Sequence, residues 1–249
     1  MATRSLSLTR SASPNVLIRY LNRPQGNDKI WRLGEVNGNP GDYVVHGDIQ
    51  HPIGSGPRHI RIRGRPFTYS VSSMLLVNHA PDNMLYTIHE LASTLTLQEV
   101  PSYPNGTSRI LSSISIIPPN PPAGSSFAAA EILIPEPTAE YPTPYIYTSN
   151  RNTGVQDPRG DTIAIFENVN NKLVLRNQVY TGLDQIRGMM SGEQAGYGGE
   201  AYIVAAGYAG TAGVKVFKRT EGGANLEEVA VNTAIPTRTA FVWLNEQQV

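Results

Sequence analysis

The sequence predicts an all-β chain built as a β-propeller, and two observations carry that prediction. A unit of apolar strand, short polar turn and second strand recurs as "MLYTIHELASTLTLQEV", "YIYTSNRNTGVQDPRGDTIAIFE" and "AYIVAAGYAGTAGVKVFKR". A repeat of roughly 50 residues built from antiparallel hairpins points to a propeller, because one such sheet cannot bury both faces without neighbours. Composition agrees: 249 residues, 40% of them apolar, are punctuated by 23 Gly and 19 Pro, the residues that make turns.

Taken in order, residues 1–13 read as a divergent or disordered start, and residues 14–249 as a single partial propeller of about four blades plus a closing strand. The first blade runs from Pro14 to Pro52 through "NVLIRYL", "DKIWRLGEV" and "DYVVHGDI", with turn chemistry in "NGNPGD". The second takes "GPRHIRI", "LYTIHE", "LTLQEV" and "SRILSSISII". The third takes "AAAEILI", "YIYTSNR", "TIAIFE" and "KLVLRNQVY", and the fourth "IRGMMS", "AYIVAAG", "VKVFKR" and "LEEVAVN". A last strand, "TRTAFVWL", has no blade of its own. The Pro-rich "IIPPNPPAGSS" is a surface connector, since the strand repeat resumes after it. Residues 64–82, "GRPFTYSVSSMLLVNHAPD", match nothing in the other copies and read as an insertion; without them "HIRIR" would turn directly into "NMLYTIHE".

Charge and composition exclude several function classes. Lys plus Arg equals Asp plus Glu at 20 each, so no overall field draws in nucleic acid or an anionic membrane. The absence of cysteine removes thiolate catalysis and Cys-based zinc sites, and five dispersed His offer no metal-ligand spacing, so neither metal nor cofactor is expected. Apolar runs such as "SMLLV" are far shorter than the roughly 20 residues that span a bilayer. A cytoplasmic location is expected, although the acid-poor, Arg- and Ser-rich start also has the composition of a mitochondrial presequence.

The register of the repeat selects candidate residues. Aligning Tyr86 with Tyr147 also aligns Glu90 with Arg151, and Tyr208 falls at the matching place in the next copy. Equivalent positions of successive blades surround a propeller's central channel, so a carboxylate, a guanidinium and a phenol are expected to converge there. Arginines hold carboxylate or phosphate through paired charge-assisted hydrogen bonds, which suits Arg58 and Arg151 to a small anionic substrate. Glu90 would shuttle a proton, with burial and the arginines pushing its pKa in opposite directions. His59 is a further candidate for substrate binding, whereas His89 reads as a packing residue and Glu131 as a blade-to-blade bond.

The combination "GPRHI", "LYTIHELASTLT", "AAAEILIPEPTAEYPTPYIYTSNR", "GDTIAIFE" and "IPTRTAFVWL" resembles the lactonase family of seven-bladed propellers, in a fungal-looking branch, from about Asp28 onward. That family includes propeller-type 6-phosphogluconolactonases, which are hydrolases, and fungal 3-carboxy-cis,cis-muconate cyclases, which are isomerases. The resemblance implies that Arg58, Glu90 and Arg151 match the cyclases' two arginines and glutamate. It also implies a histidine opening the first strand of the preceding blade, shortly before "NDKIW", and this chain has no histidine before His46. The expectation is therefore a lactonase-like or carboxymuconate-cyclase-like enzyme acting on an anionic organic acid or lactone. The alternative is an inactive propeller fragment serving as an interaction module. Four blades would leave open sheet edges, through which self-association is an expected liability.

Overall fold

The computed structural model describes residues 8–10, 17–19, 28–35, 42–63, 83–102, 106–192, 198–235 and 240–241. These residues form four four-stranded antiparallel sheets, each with its strands in chain order. The first holds β1 (Leu8–Arg10), β2 (Leu17–Arg19), β3 (Lys29–Glu35) and β4 (Tyr43–Gln50), and the second β5 (Pro57–Arg63), β6 (Met84–His89), β7 (Thr94–Glu99) and β8 (Ile110–Ser115). The third holds β9 (Phe127–Leu133), β10 (Ile146–Asn152), β11 (Thr162–Val169) and β12 (Lys172–Tyr180). The fourth holds β13 (Asp184–Ser191), β14 (Tyr202–Ala209), β15 (Val214–Thr220) and β16 (Asn225–Asn232). Among the described residues no helix is long and apolar enough to cross a membrane.

The sheets bury their faces against one another. Tyr86, Ile88, Leu95 and Leu97 of the second sheet pack with Ile132, Ile146, Phe166 and Leu173 of the third. Tyr147, Ile163 and Ile165 of the third meet Ile186, Ile203 and Phe217 of the fourth. That is why β6 is buried at every position and shows no alternation of apolar and polar residues: neighbouring sheets cover both of its faces. At the rim of the fourth sheet, β16 is exposed from Glu227 to Asn232.

A repeated latch joins each blade to the next. The residue before the third strand, Asp28, Ser93 or Asp161, accepts through its carbonyl the backbone N–H of His51, Ile116 or Thr181. Its side chain then reaches the following blade. The Asp28 carboxylate accepts from Gly54 N and Gly56 N, both at 2.7 Å, Ser93 Oγ donates to Phe127 O at 2.9 Å, and Asp161 Oδ2 accepts from Gln185 N at 2.6 Å. Satisfying backbone groups that neither sheet can pair internally fixes where each first strand begins.

One boundary differs from the sequence reading. The first sheet has four strands, because β1 pairs with β2 through Leu8↔Arg19 to Arg10↔Leu17, inside the stretch read as a divergent start. The proposed insertion at 64–82 lies outside the described residues, but β5 and β6 pair as one hairpin across it, with Arg63 opposite Met84. Most of the expected closing strand also lies outside the described residues. Its Phe241 packs against Val204, Ala206 and Val214 and belongs to no strand.

Candidate active site

The first strands of the second, third and fourth sheets, β5, β9 and β13, carry the same irregularity at the same level. Pairing with the second strand slips between Pro57 and His59, between Ala129 and Ile132, and between Ile186 and Gly188. Each slip is a β-bulge, in which an extra residue leaves the ladder and its side chain is re-aimed. The extra residue is Arg58 in β5 and Arg187 in β13, while in β9 Ala130 and Glu131 together stand opposite Ser149.

Arg58, Glu90 and Arg151 meet at these bulges. Glu90 follows β6, its N–H donating to Gly56 O at 2.7 Å and its carbonyl accepting from Ala129 N at 3.2 Å, so its backbone is tied to two blades. Arg58 Nη1 donates to Glu90 Oε2 at 2.9 Å, and Arg58 Nε to Ala130 O at 2.9 Å. Arg151, 61 residues from Glu90 in sequence, donates from Nη2 to the other oxygen, Oε1. Burial would raise the Glu90 pKa, but the charges and hydrogen bonds of Arg58 and Arg151 outweigh it and hold the carboxyl below its usual range. The 32-residue separation of Arg58 and Glu90 is thus no obstacle to contact, because a hairpin spans the intervening segment.

His59 is buried, with Nε2 3.5 Å from Glu131 Oε1 and without a hydrogen-bond partner among the described residues. Burial, then the nearby Arg58, Arg61 and Arg151, push its pKa down to about 3, so the ring is neutral at ordinary pH. Tyr208 stands at the matching place in the fourth blade but is half-exposed, and it contacts neither Glu90 nor Arg151. The Arg187 guanidinium lies 5.5 Å from its ring centroid. His89 is fully buried away from the cluster, bonded to Thr96 Oγ1 at 2.9 Å, with its ring 5.0 Å from that of His51. Among the described residues no group of His, Asp and Glu is placed to hold a metal ion.

Two participants escaped the sequence reading. Arg61 and Arg187 both act electrostatically on Glu131, whose carboxyl reaches from the third sheet to His59 of the second. Arg187 was accessible from "IRGMM", which repeats the bulged Arg of "PRHIRI", had the first strands been aligned as well as the second. Arg61 also lines a separate cavity of about 290 Å³ with Leu133, Ile134, Glu136 and Ser191, which places it toward the ends of β9 and β13.

A profile of the family described as "Lactonase, 7-bladed beta-propeller" matches residues 24–243. The chain belongs to that lactonase family. Among solved structures, this lactonase-family chain is similar to a protein from Lactobacillus plantarum at 18% identity and a TM-score of 0.67, covering 94% of this chain and 57% of that one. It is also similar to a putative 6-phosphogluconolactonase from Bacteroides fragilis, at 16% identity and a TM-score of 0.63, covering 94% and 56%. A periplasmic gluconolactonase from Pseudomonas aeruginosa matches at 15% identity and a TM-score of 0.61, covering 93% and 54%. At these identities the likeness establishes the fold, and the chain spans little more than half the length of each structure. No curated protein sequence matches the chain.

Proposed function

We propose that this chain binds a small anionic lactone at the Arg58–Glu90–Arg151 cluster and opens it by hydrolysis. The observation that carries the reading is an excess of positive charge gathered on the inner strands: Arg58, Arg61, Arg151 and Arg187 surround two carboxyl groups, of which Glu90 is held ionised. Such a site favours an incoming anion. Arg151 Nε is buried without a hydrogen-bond partner among the described residues, leaving a donor for a substrate carboxylate or phosphate. A buried donor left unpaired costs about 1–3 kcal/mol, which a bound oxyanion would recover.

Glu90 takes a role different from the proton shuttle expected of it. With one arginine on each oxygen it is a fixed counter-ion that sets the spacing of the two guanidiniums, so the clamp is organised before substrate arrives. The resemblance to gluconolactonases by family and fold supports hydrolysis of a sugar-acid lactone. The cyclisation of carboxymuconate would draw on the same arginines.

The test is turnover of 6-phosphogluconolactone and of carboxymuconate by the purified full chain, with binding of 6-phosphogluconate measured beside it. Arg151→Ala is expected to lower kcat/KM for the lactone by about 10²–10³, the usual cost of removing a charged donor from an active site. It should weaken binding of 6-phosphogluconate in step while leaving the melting temperature of the β-sheet signal within a few degrees. Wild-type protein that neither binds the acid nor opens the lactone would sink the reading.

A further inference from the structure

Two carboxyl groups face the arginine cluster, and only one of them is tied down. Glu131 lies on β9 within the slipped register, and its backbone is fixed across three strands: Glu131 N donates to Ser149 Oγ at 3.1 Å, and Ser149 Oγ donates to Ile186 O at 3.3 Å. Its carboxyl is a different matter. No described residue makes a hydrogen bond to it, and its nearest charged or titratable neighbour in contact is His59 Nε2 at 3.5 Å. The side chain keeps 19% of its surface exposed, so water reaches it.

We infer that Glu131, whose carboxyl lies beside the neutral ring of His59, is the group that moves the proton when the lactone opens. The role rests on the anionic-lactone reading above. A general base needs a free lone pair, access to water and a titration near the working pH. Glu90 lacks the last, and a guanidinium already occupies each of its oxygens. Glu131 has all three: its oxygens are unbonded and reached by water, and burial raises its pKa to about 7 against the pull of Arg58, Arg61, Arg151 and Arg187. The groups around it are Arg58, His59 and Arg61 on β5, Arg151 on β10 and Arg187 on β13, with Glu90 bonded to two of these arginines.

The reaction balances through this one residue. The Glu131 carboxylate takes a proton from the water whose oxygen attacks the lactone carbonyl carbon. As the acyl–oxygen bond of the ring breaks, the same proton passes from Glu131 to the departing ring oxygen. The products are a hydroxyl and a carboxylic acid that ionises into solvent, and Glu131 is again a carboxylate.

The experiment is the pH dependence of 6-phosphogluconolactone opening by the full chain from about pH 5 to about pH 8, corrected for spontaneous hydrolysis, with 6-phosphogluconate affinity measured for each variant. Wild-type kcat is expected to rise along a limb centred near pH 7. Glu131→Gln should lose about 10² or more in kcat and lose the limb, while its affinity for 6-phosphogluconate stays within about threefold. Glu131→Asp should keep the limb at a lower rate, and His59→Gln should shift its midpoint. If Glu131→Gln keeps the wild-type rate and limb, the inference is overturned and the anion site stands. Should that variant melt early, Glu131→Asp decides, since a wild-type rate with an unmoved limb overturns the role equally. A wild-type chain without binding or turnover overturns the anion site and this role together.

Discussion

Glu90 and Glu131 each leave 19% of the side chain exposed, each lies beside Arg58 and Arg151, and yet they ionise in opposite senses. For both, burial is the largest influence and favours the neutral acid. Glu90 escapes it because the charges of Arg58 and Arg151 act on it first, and each guanidinium then adds a direct hydrogen bond to one of its oxygens. Glu131 meets the same arginines without a bond from any of them, and burial wins. Coulomb attraction weakens only gradually with distance, whereas a charge-assisted hydrogen bond is either made or absent, so a small difference in placement decides between an anchor and a proton carrier.

The largest stability effect should come from unfastening the anchor. Glu90→Gln leaves Arg58 and Arg151 without their counter-charge, and is expected to cost about 2–3 kcal/mol, read as a lower urea midpoint at pH 7. The corresponding change at the other carboxyl should have the opposite sign. Folded Glu131 holds its proton up to about pH 7, whereas the unfolded chain releases it above about 4.5. Wild-type stability therefore falls as pH rises between those values and levels off above them. Glu131→Gln removes that loss and is expected to stabilise the chain at pH 8 by on the order of 1–3 kcal/mol. If both variants shift the midpoint the same way, the contrast between the two carboxyls fails.

A smaller effect extends the same logic to the buried histidines. Burial pushes His51 down to about 4 and His89 to about 3, from an ordinary 6.5. Below about pH 6.5 the unfolded chain takes up protons that the folded chain refuses, so stability falls with acidification until the folded values are reached. His89 occupies the place that Asn150 holds in the next blade. His89→Asn should make the loss between pH 7 and pH 4.5 smaller by about 1–2 kcal/mol, measured by urea midpoints at the two pH values.

The parts of this molecule that repeat were legible in the sequence. The strand–turn–strand wording located three of the four sheets, and the spacing shared by Tyr86, Glu90, Tyr147 and Arg151 brought together two residues that do touch. Short, weakly patterned elements were not legible, and β1 at Leu8–Arg10 was read as an irregular start for that reason. The pairing of β5 with β6 was legible from "HIRIR" and "NMLYTIHE" despite the long connection between them, since lengthening a connection costs only a slowly growing loop entropy. Arg187 was missed because a bulge moves it off the alternation that marks inward-facing residues. The state of Glu131 was beyond reach of any motif, since it depends on how deeply four arginines and a histidine from neighbouring strands enclose it.

The three aligned bulges give the inner rim an outlying position in each of the last three blades, at Arg58, Ala130 and Arg187. Ala130 is fully buried and its carbonyl accepts from Arg58 Nε at 2.9 Å, so the outlying positions lean on one another. The rim therefore reads as a row of coupled settings, with arginine at two and a buried alanine at the third. A related chain could acquire a taste for a larger, more highly charged or uncharged ring by resetting these positions together, while the scaffold that holds the row stays as it is.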